Sequence, residues 1–335
     1  MIWAAKEVRE IDNVKSACEA TCLLFNKFLR SQIIEIVDAD KKMKHSRLAE
    51  SCEKALNNKK YMNNVDLSRV DLCYPPIIQS GGNYSFKFSV LSDDHVLHFG
   101  AIICSLGVRY RQYCSNIIRT LLVDPSQELQ DLYSLLLDVE QKVIDCLKPG
   151  SKLCDVYAAA VEVLRDNRPE LIEKFTKNVG FGMGIEFRES SLLINARNTV
   201  SVESGMVFNI NVGIADIENK TAKDDAGKKV ALFLGDTVMI NEEGATSLTE
   251  AAKKRVKHIC MFFKSGAEEK DEGNKENIND LLSRTKRSVV LQEQLRKKQS
   301  GEERRKQHQK DLAEQLNKNA KERLALAKDL VMEPK

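Results

Sequence analysis

Residues 179–189, VGFGMGIEFRE, carry the pattern from which the fold of this chain can be predicted. Three glycines, Gly180, Gly182 and Gly184, alternate there with large apolar residues. Glycine at alternate positions lets another backbone, or a bound ligand, approach where a Cβ atom would collide. The pattern is typical of close packing between strands as well as of binding loops. It therefore predicts a strand that another group approaches closely, and it does not decide whether that group is a neighbouring strand or a ligand.

The composition of the 335-residue chain is that of one large folded domain with an appendage. Hydrophobic residues make up 42%, which is enough for a sizeable core, and the net charge of +3 does not by itself indicate a polyanionic partner. The nine cysteines include no Cys-x-x-Cys pair, which indicates reduced thiols in a cytosolic or nuclear protein. Because no apolar run is long enough for a signal peptide or a membrane span, neither is expected.

Hydrophobic periodicity predicts helices packed on a sheet. Helices are expected over residues 5–36, 44–60, 126–147 and 153–167, the third of them ending before Pro149 and Gly150. Strands are expected over residues 86–90, 95–104, 108–123, 205–214 and 229–240, in addition to the glycine-rich stretch. Helices on a mostly antiparallel sheet make an α+β domain.

The composition changes near Lys264, and the change predicts three regions: a folded domain over 1–264, a linker over 265–280 and a basic helical segment over 281–335. Residues 265–280 are acidic and nearly devoid of apolar side chains, which is typical of a solvated, disordered linker. Beyond them, Leu312, Leu316, Ala320 and Leu324 repeat every four residues in a basic sequence. Such a narrow apolar stripe fits a helix that docks on a partner or further domain, and equally a solvated extension.

The glycine-rich stretch resembles the G-H-G-I-G…H-E strand of the pita-bread metallopeptidases, the superfamily of methionine aminopeptidase, prolidase and aminopeptidase P. In that family the second residue of the motif is a metal-binding histidine, and Phe181 stands there in this chain. Arg188 stands where the family has a later catalytic histidine. The resemblance extends from about Glu7 to Phe263 and implies a creatinase/aminopeptidase-like α+β fold of the pita-bread type.

The same resemblance identifies five positions as the ligands of a two-metal site. Such a site needs several carboxylates and a neutral imidazole, and two metals then activate the attacking water. All five positions differ from the family: they are His98 in HFGA, Asn116 in YCSNIIRT, Phe181, Asn211 in GMVFNINVG, and Gly235 before Asp236-Thr237-Val238. One histidine cannot hold a dinuclear centre. The resemblance therefore implies a non-enzymatic protein with no metal, no cofactor and no small-molecule substrate.

Longer stretches resemble the large subunits of FACT histone chaperones. They are CYPPIIQSGGNYSFKFSV (73–90), HFGAIICSLGVRYRQYCSNIIRTLLVDPSQE (98–128) and the acidic linker followed by a basic segment. In that family an inactive pita-bread domain is followed by dimerisation and middle domains and an acidic tail. The resemblance implies that a separate N-terminal lobe and all regions after the linker helix lie outside this chain. A fragment, an isoform and an incomplete gene model remain open explanations.

A FACT-type protein would act in the nucleus, on the chromosome, during transcription, replication and repair. The implied partners are core histones, as the central tetramer or the peripheral dimer, the smaller FACT subunit and nucleosomes, with no membrane. Chaperoning needs no covalent chemistry, because an acidic surface can compete with DNA for basic histones. A histone tail is expected in the vacated cleft, whose candidate residues are His98, Asn116, Phe181, Arg188, Glu189 and Asn211. Glu186 and Glu189 are the expected electrostatic partners.

Two other functional classes remain open. One is a different non-catalytic pita-bread protein that binds RNA, ribosomes or another partner, which lysine-rich insertions inside the fold would indicate. The basic residues of this chain are instead concentrated after the fold, between Arg284 and Lys328. The other is a metallopeptidase with altered ligands, which the five replacements disfavour.

Overall fold

The computed structural model describes residues 4–62 and 65–263. The predicted acidic linker (265–280) and basic helical segment (281–335) lie outside the described residues. No helix in the described part is long and apolar enough to cross a membrane.

The helices fall into an N-terminal group and a pair in the middle of the chain. Helix α1 (Val8–Leu24) continues through a single π turn (Phe25–Leu29) into α2 (Arg30–Asp38). They are followed by α3 (His45–Leu56), α4 (Gln127–Cys146), α5 (Leu153–Asn167) and the short α6 (Val256–Ile259). Ser126 begins α4 by accepting a hydrogen bond from the Leu129 N–H, as an N-cap residue should.

The strands form one large sheet and one small sheet. They are β1 (Val70–Leu72), β2 (Ile77–Gln79), β3 (Ala101–Leu106), β4 (Val108–Tyr110), β5 (Tyr113–Cys114), β6 (Ile117–Val123), β7 (Gly180–Gly182), β8 (Glu189–Leu193), β9 (Val207–Glu218), β10 (Lys229–Ile240), β11 (Ala245–Ser247) and β12 (Cys260–Met261). The large sheet has the order β2-β3-β6-β10-β9-β7-β8, with β11 on β10 and β12 on β6. The small sheet has the order β1-β4-β5. In the described part of the chain only β12 pairs in parallel, with β6.

Packing of the helices on the sheet makes the core. The long antiparallel pair β9–β10 lies at the centre of the large sheet, and α4 packs on both strands and on α5. Helix α1 packs against β4 and β5, and α3 packs against β2. This arrangement confirms the expected α+β pita-bread class.

Several predicted elements differ from the observed ones. Residues 86–90 form no strand, since their two phenylalanines pack on the large sheet without joining it. The expected strand 108–123 is divided into β4, β5 and β6, because Arg111 and Gln112 adopt left-handed φ angles of 46° and 74° at a turn. Strand β3 begins only at Ala101, the helix expected over 44–60 ends at Leu56, and the one expected over 5–36 contains the π turn.

Candidate functional site

The glycine-rich stretch forms two strands joined by a turn. A Cβ atom on Gly180 would lie 2.6 Å from the Asn209 carbonyl oxygen, and one on Gly182 would lie 2.5 Å from Leu192 Cδ1. These two glycines therefore let β7 fit between β8 and β9. At Gly184 a Cβ atom would lie 2.7 Å from Cε of Lys6. Of the two uses that the sequence left open, close packing accounts for these three glycines.

Phe181 lies within an aromatic cluster formed by Tyr74, Phe86, Phe88, Phe181, Phe187 and Phe233. Its side chain is 1% exposed, and its ring centroid lies 5.5 Å from those of both Phe88 and Phe187, in edge-on geometry. Phe88 and Phe187 also contact each other at 5.2 Å. Edge-to-face pairs contribute about 0.5–1.5 kcal/mol each beyond the burial of their surface. Phe181 stands at the position that the resemblance equates with a metal-binding histidine, and its ring contacts stabilise the fold there.

Neutral hydrogen-bonding groups adjoin the aromatic cluster. Asn116 is fully buried; its Oδ1 accepts a hydrogen bond from the Tyr74 hydroxyl, and its Nδ2 donates to Asn209 Oδ1 at 3.3 Å. Asn211 Nδ2 donates to the Asn209 carbonyl oxygen at 3.4 Å. Burial raises the pKa of Tyr74 well above its ordinary value, so the hydroxyl stays protonated. This network offers a divalent cation no anionic oxygen.

Gly235 lies opposite Asn211 on β9 and Ile118 on β6. A Cβ atom at this position would approach the Ile210 carbonyl oxygen to 2.5 Å and Ile118 Cδ1 to 2.9 Å. The space for a carboxylate-bearing side chain is thus taken by the neighbouring strands. Together with Asn116, Phe181 and Asn211, this position does not fit a dinuclear metal centre.

His98 is held by a loop between β9 and β10. Its Nε2 lies 3.0 Å from Asp224 Oδ1, and its backbone N–H donates to Ser80 Oγ at 2.8 Å. The Gly227 N–H, and after it His98, lower the pKa of Asp224. Since its imidazole is engaged by a carboxylate, His98 fixes this loop against the segment before β3. In the described part of the chain, no group of three or more His, Cys, Asp or Glu side chains is arranged to hold a metal ion.

The two charged candidates lie at the rim of the cluster. The Arg188 guanidinium lies 5.3 Å from the ring centroid of Phe181 and is solvent-exposed, which is typical of a cation–π contact. Glu189 Oε1 lies 2.7 Å from Nζ of Lys6, whose side chain is 3% exposed. The charge of Glu189 is therefore compensated within the protein, whereas Glu186 is exposed.

The structure thus brings four of the six candidate residues together through shared neighbours, places Glu189 beside Arg188 at the rim, and holds His98 at a separate loop. Asn116, Phe181 and Asn211 are buried, and Arg188 covers Phe181 at the surface. His98 contacts the 219–228 loop, and Glu189 contacts Lys6. A role of these residues in binding a histone tail stays a prediction.

A buried ionic network joins Arg119, the arginine of the YCSNIIRT motif, to Asp236, and the sequence alone did not predict it. Arg119 NH2 lies 2.6 Å from Asp236 Oδ1, and both side chains are fully buried. Lys254 Nζ lies 2.7 Å from Asp236 Oδ2 and 2.5 Å from Glu140 Oε2. The signal that could have revealed Glu140 is a glutamate on the apolar face of α4, among Leu136 and Val143.

The two carboxylates of this network have opposite pKa shifts. Burial, and after it the charge of Asp236, raises the pKa of Glu140 to about 7, although Lys254 acts in the other direction. Burial alone would also raise the pKa of Asp236, but Arg119 and Lys254 together lower it. The network therefore favours the ionised form of Asp236 and the protonated form of Glu140.

An Asp–His–Ser chain occurs elsewhere in the fold. His45 Nδ1 lies 2.6 Å from Asp93 Oδ1, and its Nε2 lies 2.7 Å from Ser80 Oγ. The order of groups is that of a serine hydrolase triad. However, Ser80 is only 5% exposed, and its Oγ already accepts the His98 N–H. These contacts join α3 to two loops and leave no accessible nucleophile.

Comparison with known proteins places the chain in a family. Residues 12–242 match metallopeptidase family M24, and the chain belongs to this family. The X-Pro aminopeptidase of Thermotoga maritima superposes with a TM-score of 0.62 at 21% identity, over 78% of this chain and 65% of that one. At this identity the likeness establishes the fold alone.

Within that class, the chain is similar to the SPT16 subunit of the FACT complex. It is 40% identical over 328 residues to the FACT complex subunit spt-16 of Caenorhabditis elegans, which covers 97% of this chain and 32% of the relative. The N-terminal domain of SPT16 from chickpea, Cicer arietinum, superposes with a TM-score of 0.75 at 38% identity, over 77% of this chain and 62% of that one. The expected resemblance to FACT large subunits is thereby confirmed, and the chain spans about a third of the length of this relative.

Proposed function

We propose that this chain is a non-catalytic histone-binding module of a FACT-type histone chaperone. The observation that carries the proposal is the similarity to FACT subunits along 97% of the chain. The module would act on nucleosomes during their disassembly and reassembly in transcription, replication and repair, in the nucleus and on the chromosome. Its partners would be core histones and the smaller FACT subunit.

The absence of peptidase activity is part of this proposal. Its support is the set of groups at four of the five positions that the resemblance equates with metal ligands, where an aromatic ring, two buried amides and a closely packed glycine stand. None of these four positions offers the anionic oxygen or imidazole nitrogen that a two-metal hydrolase requires. The spt-16 protein and the SPT16 domain reported above are described as belonging to FACT subunits.

Histone contacts would involve the rim of the aromatic cluster. Asn116, Phe181 and Asn211 would act by supporting that rim, because they are buried. Of the acidic residues, Glu186 is the better partner for a basic tail, since the charge of Glu189 is compensated by Lys6. Single exposed ion pairs contribute about 0–1 kcal/mol each. Binding by this chain should therefore be weak and should decrease as salt is raised.

The test is binding of the full chain to fluorescently labelled histones, as the central tetramer and as the peripheral dimer, at low and high salt. Glu186→Lys should weaken binding about two- to fivefold, as expected for one exposed ion pair. The matched control is Glu162→Lys, which makes the same charge change on an exposed face of α5 and should bind as the wild type does. Equal losses of affinity in both variants would reject the rim of the aromatic cluster as the histone contact. Lack of histone binding by the wild type at low salt would reject the histone proposal for this chain.

A further inference from the structure

A groove of about 620 Å³ lies between the second half of α4, strand β11 and the segment 250–258. Its walls include Gln141 and Ile144 of α4 and Ser247 of β11. None of its lining residues belongs to the aromatic cluster or its rim. We call it the basic groove, because Lys253, Lys254, Arg255, Lys257 and His258 follow one another along its edge.

Three of these cations are free to meet a ligand. Lys254 is engaged by Glu140 and Asp236 inside the protein. Lys253, Arg255 and Lys257 are exposed and form no ion pair with any residue that the structure describes. Glu250 is the only acidic residue among the lining residues of the groove. The groove therefore presents an excess of positive charge in a concave surface, which concentrates the field on anything bound there.

Two buried polar atoms belong to residues that line the groove. Ser247 Oγ and His258 Nδ1 are shielded from solvent, and neither has a hydrogen-bond partner in the described part of the chain. Buried polar atoms are almost always hydrogen-bonded, so two such atoms without a partner at one groove call for an explanation. Burial, and after it the charges of Lys257, Lys253, Arg30 and Arg255, lowers the pKa of His258, as a strongly positive surrounding should. An anionic ligand would supply hydrogen-bond partners for these two atoms and would offset the positive charge around His258.

Three hydrogen bonds from other elements fix the backbone of the segment 250–258 that lines the groove. Arg30 NH2 donates to the His258 carbonyl oxygen at 3.0 Å, and Asn26 Nδ2 donates to the Ala251 carbonyl oxygen at 2.9 Å. Arg119 NH2 donates to the Ala252 carbonyl oxygen at 2.6 Å. These contacts fix the segment that carries the cations, so binding would require little ordering of the protein.

We propose that the basic groove binds an acidic peptide segment, whose carboxylates pair with Lys253, Arg255 and Lys257 and whose polar atoms hydrogen-bond to Ser247 and His258. A peptide fits better than a nucleic acid because the groove and the depression beside it also carry negative charges. Glu250 lines the groove, and Asp145 and Glu243 line the depression of about 510 Å³ that shares Ile144, Ala245 and Thr246 with it. A phosphodiester chain carries a charge at every unit and would meet these carboxylates, whereas a peptide can space its charges between them.

The first test measures binding of the full chain to a fluorescein-labelled twelve-residue peptide of alternating Glu and Ser. The double variant Lys253→Glu/Lys257→Glu should bind at least tenfold more weakly. The control Lys42→Glu/Lys59→Glu makes the same charge change at exposed lysines outside the groove and should stay within about twofold of the wild type, because distant surface charges are screened by salt. Similar losses of affinity in the two double variants would show that overall charge, and not the groove, determines binding, and would overturn the proposed site.

A second measurement follows the His258 imidazole by NMR in the full chain, with its signal identified through His258→Gln. The acidic peptide should raise the His258 pKa, because a bound anion stabilises the imidazolium, and a Gln-for-Glu peptide should leave it unchanged. An unchanged pKa with a saturating acidic peptide would overturn the proposed contact. Tighter binding of duplex DNA, weakened by the same Lys253→Glu/Lys257→Glu variant, would overturn the assignment to a peptide.

Discussion

At the scale of single residues, Arg119 shows how a charge is accommodated in this core. Its guanidinium is fully buried and donates to the carbonyl oxygens of Ile118, Gly235 and Ala252 as well as to Asp236. Thr249 donates a further hydrogen bond to Asp236 at 2.6 Å. A buried ion pair is tolerated only when its remaining donors and acceptors are satisfied in this way. The pair therefore fixes β6, β10 and the segment that follows β11 relative to one another.

Replacing Asp236 by Asn should strongly destabilise the protein, because the buried Arg119 would lose its counter-charge. We expect the free energy of unfolding to fall by about 3–5 kcal/mol. Glu140→Gln is the control within the same network and should cost clearly less at pH 7, since about half of the Glu140 side chains are already neutral there. Urea unfolding of both variants measures the difference. Equal costs would show that Asp236 does not compensate Arg119 more than Glu140 does.

Glu140 should make stability depend on pH in a defined direction. Its pKa is about 7 in the folded state against an ordinary 4.5, so the folded state holds more protons between these values. The stability that this group contributes is complete below about pH 4.5 and is lost as the pH rises through about 7. The difference in unfolding free energy between wild type and Glu140→Gln should therefore favour the wild type more at pH 5 than at pH 8, by about 2 kcal/mol. A difference that is constant or opposite in sign would contradict this.

At the scale of elements, the sheet explains why the positions that the resemblance equates with metal ligands do not accept larger or charged side chains. Gly235 lies on β10 between β9 and β6, and Phe181 lies on β7 beside β9. Close backbone contact at one position and ring contacts at the other leave no room for the larger or more polar side chains of a metal site. The close packing at these positions is thus a property of several strands together.

Gly235→Ala should destabilise the protein by about 1–3 kcal/mol, because the added methyl group would overpack two strands. Gly100→Ala is a suitable control, since its Cβ atom would meet only the His98 imidazole, at 3.2 Å. This contact is longer than the 2.5 Å contact with a strand carbonyl oxygen at Gly235 and involves a partly exposed side chain, so the control should cost less. Thermal unfolding of the two variants tests the difference, and an equal loss would refute the argument from strand contact.

The elements differ in how far they could be predicted from the sequence. Helix α5 and strand β10 have the expected bounds, because their periodic patterns end at clear breaks. The segment 86–90 has strand periodicity, yet Phe86 stacks on Phe233 at 4.4 Å instead of joining the sheet, and only the tertiary structure decides this. At the site, the identification of five positions with metal ligands came from motifs and stays a prediction. The pairing of Glu189 with Lys6 and the Glu140–Lys254 contact join residues 183 and 114 positions apart, which no local pattern reveals.

At the scale of the whole molecule, metal ions should not stabilise the folded state. A ligand that binds only the folded protein raises the melting temperature by mass action. Because Asn116, Phe181 and Asn211 offer buried amides and an aromatic ring, micromolar Co²⁺ or Mn²⁺ should leave the melting temperature unchanged and produce no hydrolysis of Met- or Pro-containing peptides. A rise of several degrees that disappears in His98→Ala would contradict this expectation.

The π turn at Phe25–Leu29 has a consequence for the surface far from it in sequence. An α-helix advances by about 100° per residue, so one extra residue in a turn changes the angular phase of everything that follows. Asn26 and Arg30 lie within and just after this turn, and both reach the segment that carries the cations of the basic groove. Residues four apart share one face of a regular α-helix, and these two side chains reach the same segment across the turn. The extra residue thus resets the phase of α2 relative to α1 at the place where this N-terminal element contacts a segment more than two hundred residues later in the chain.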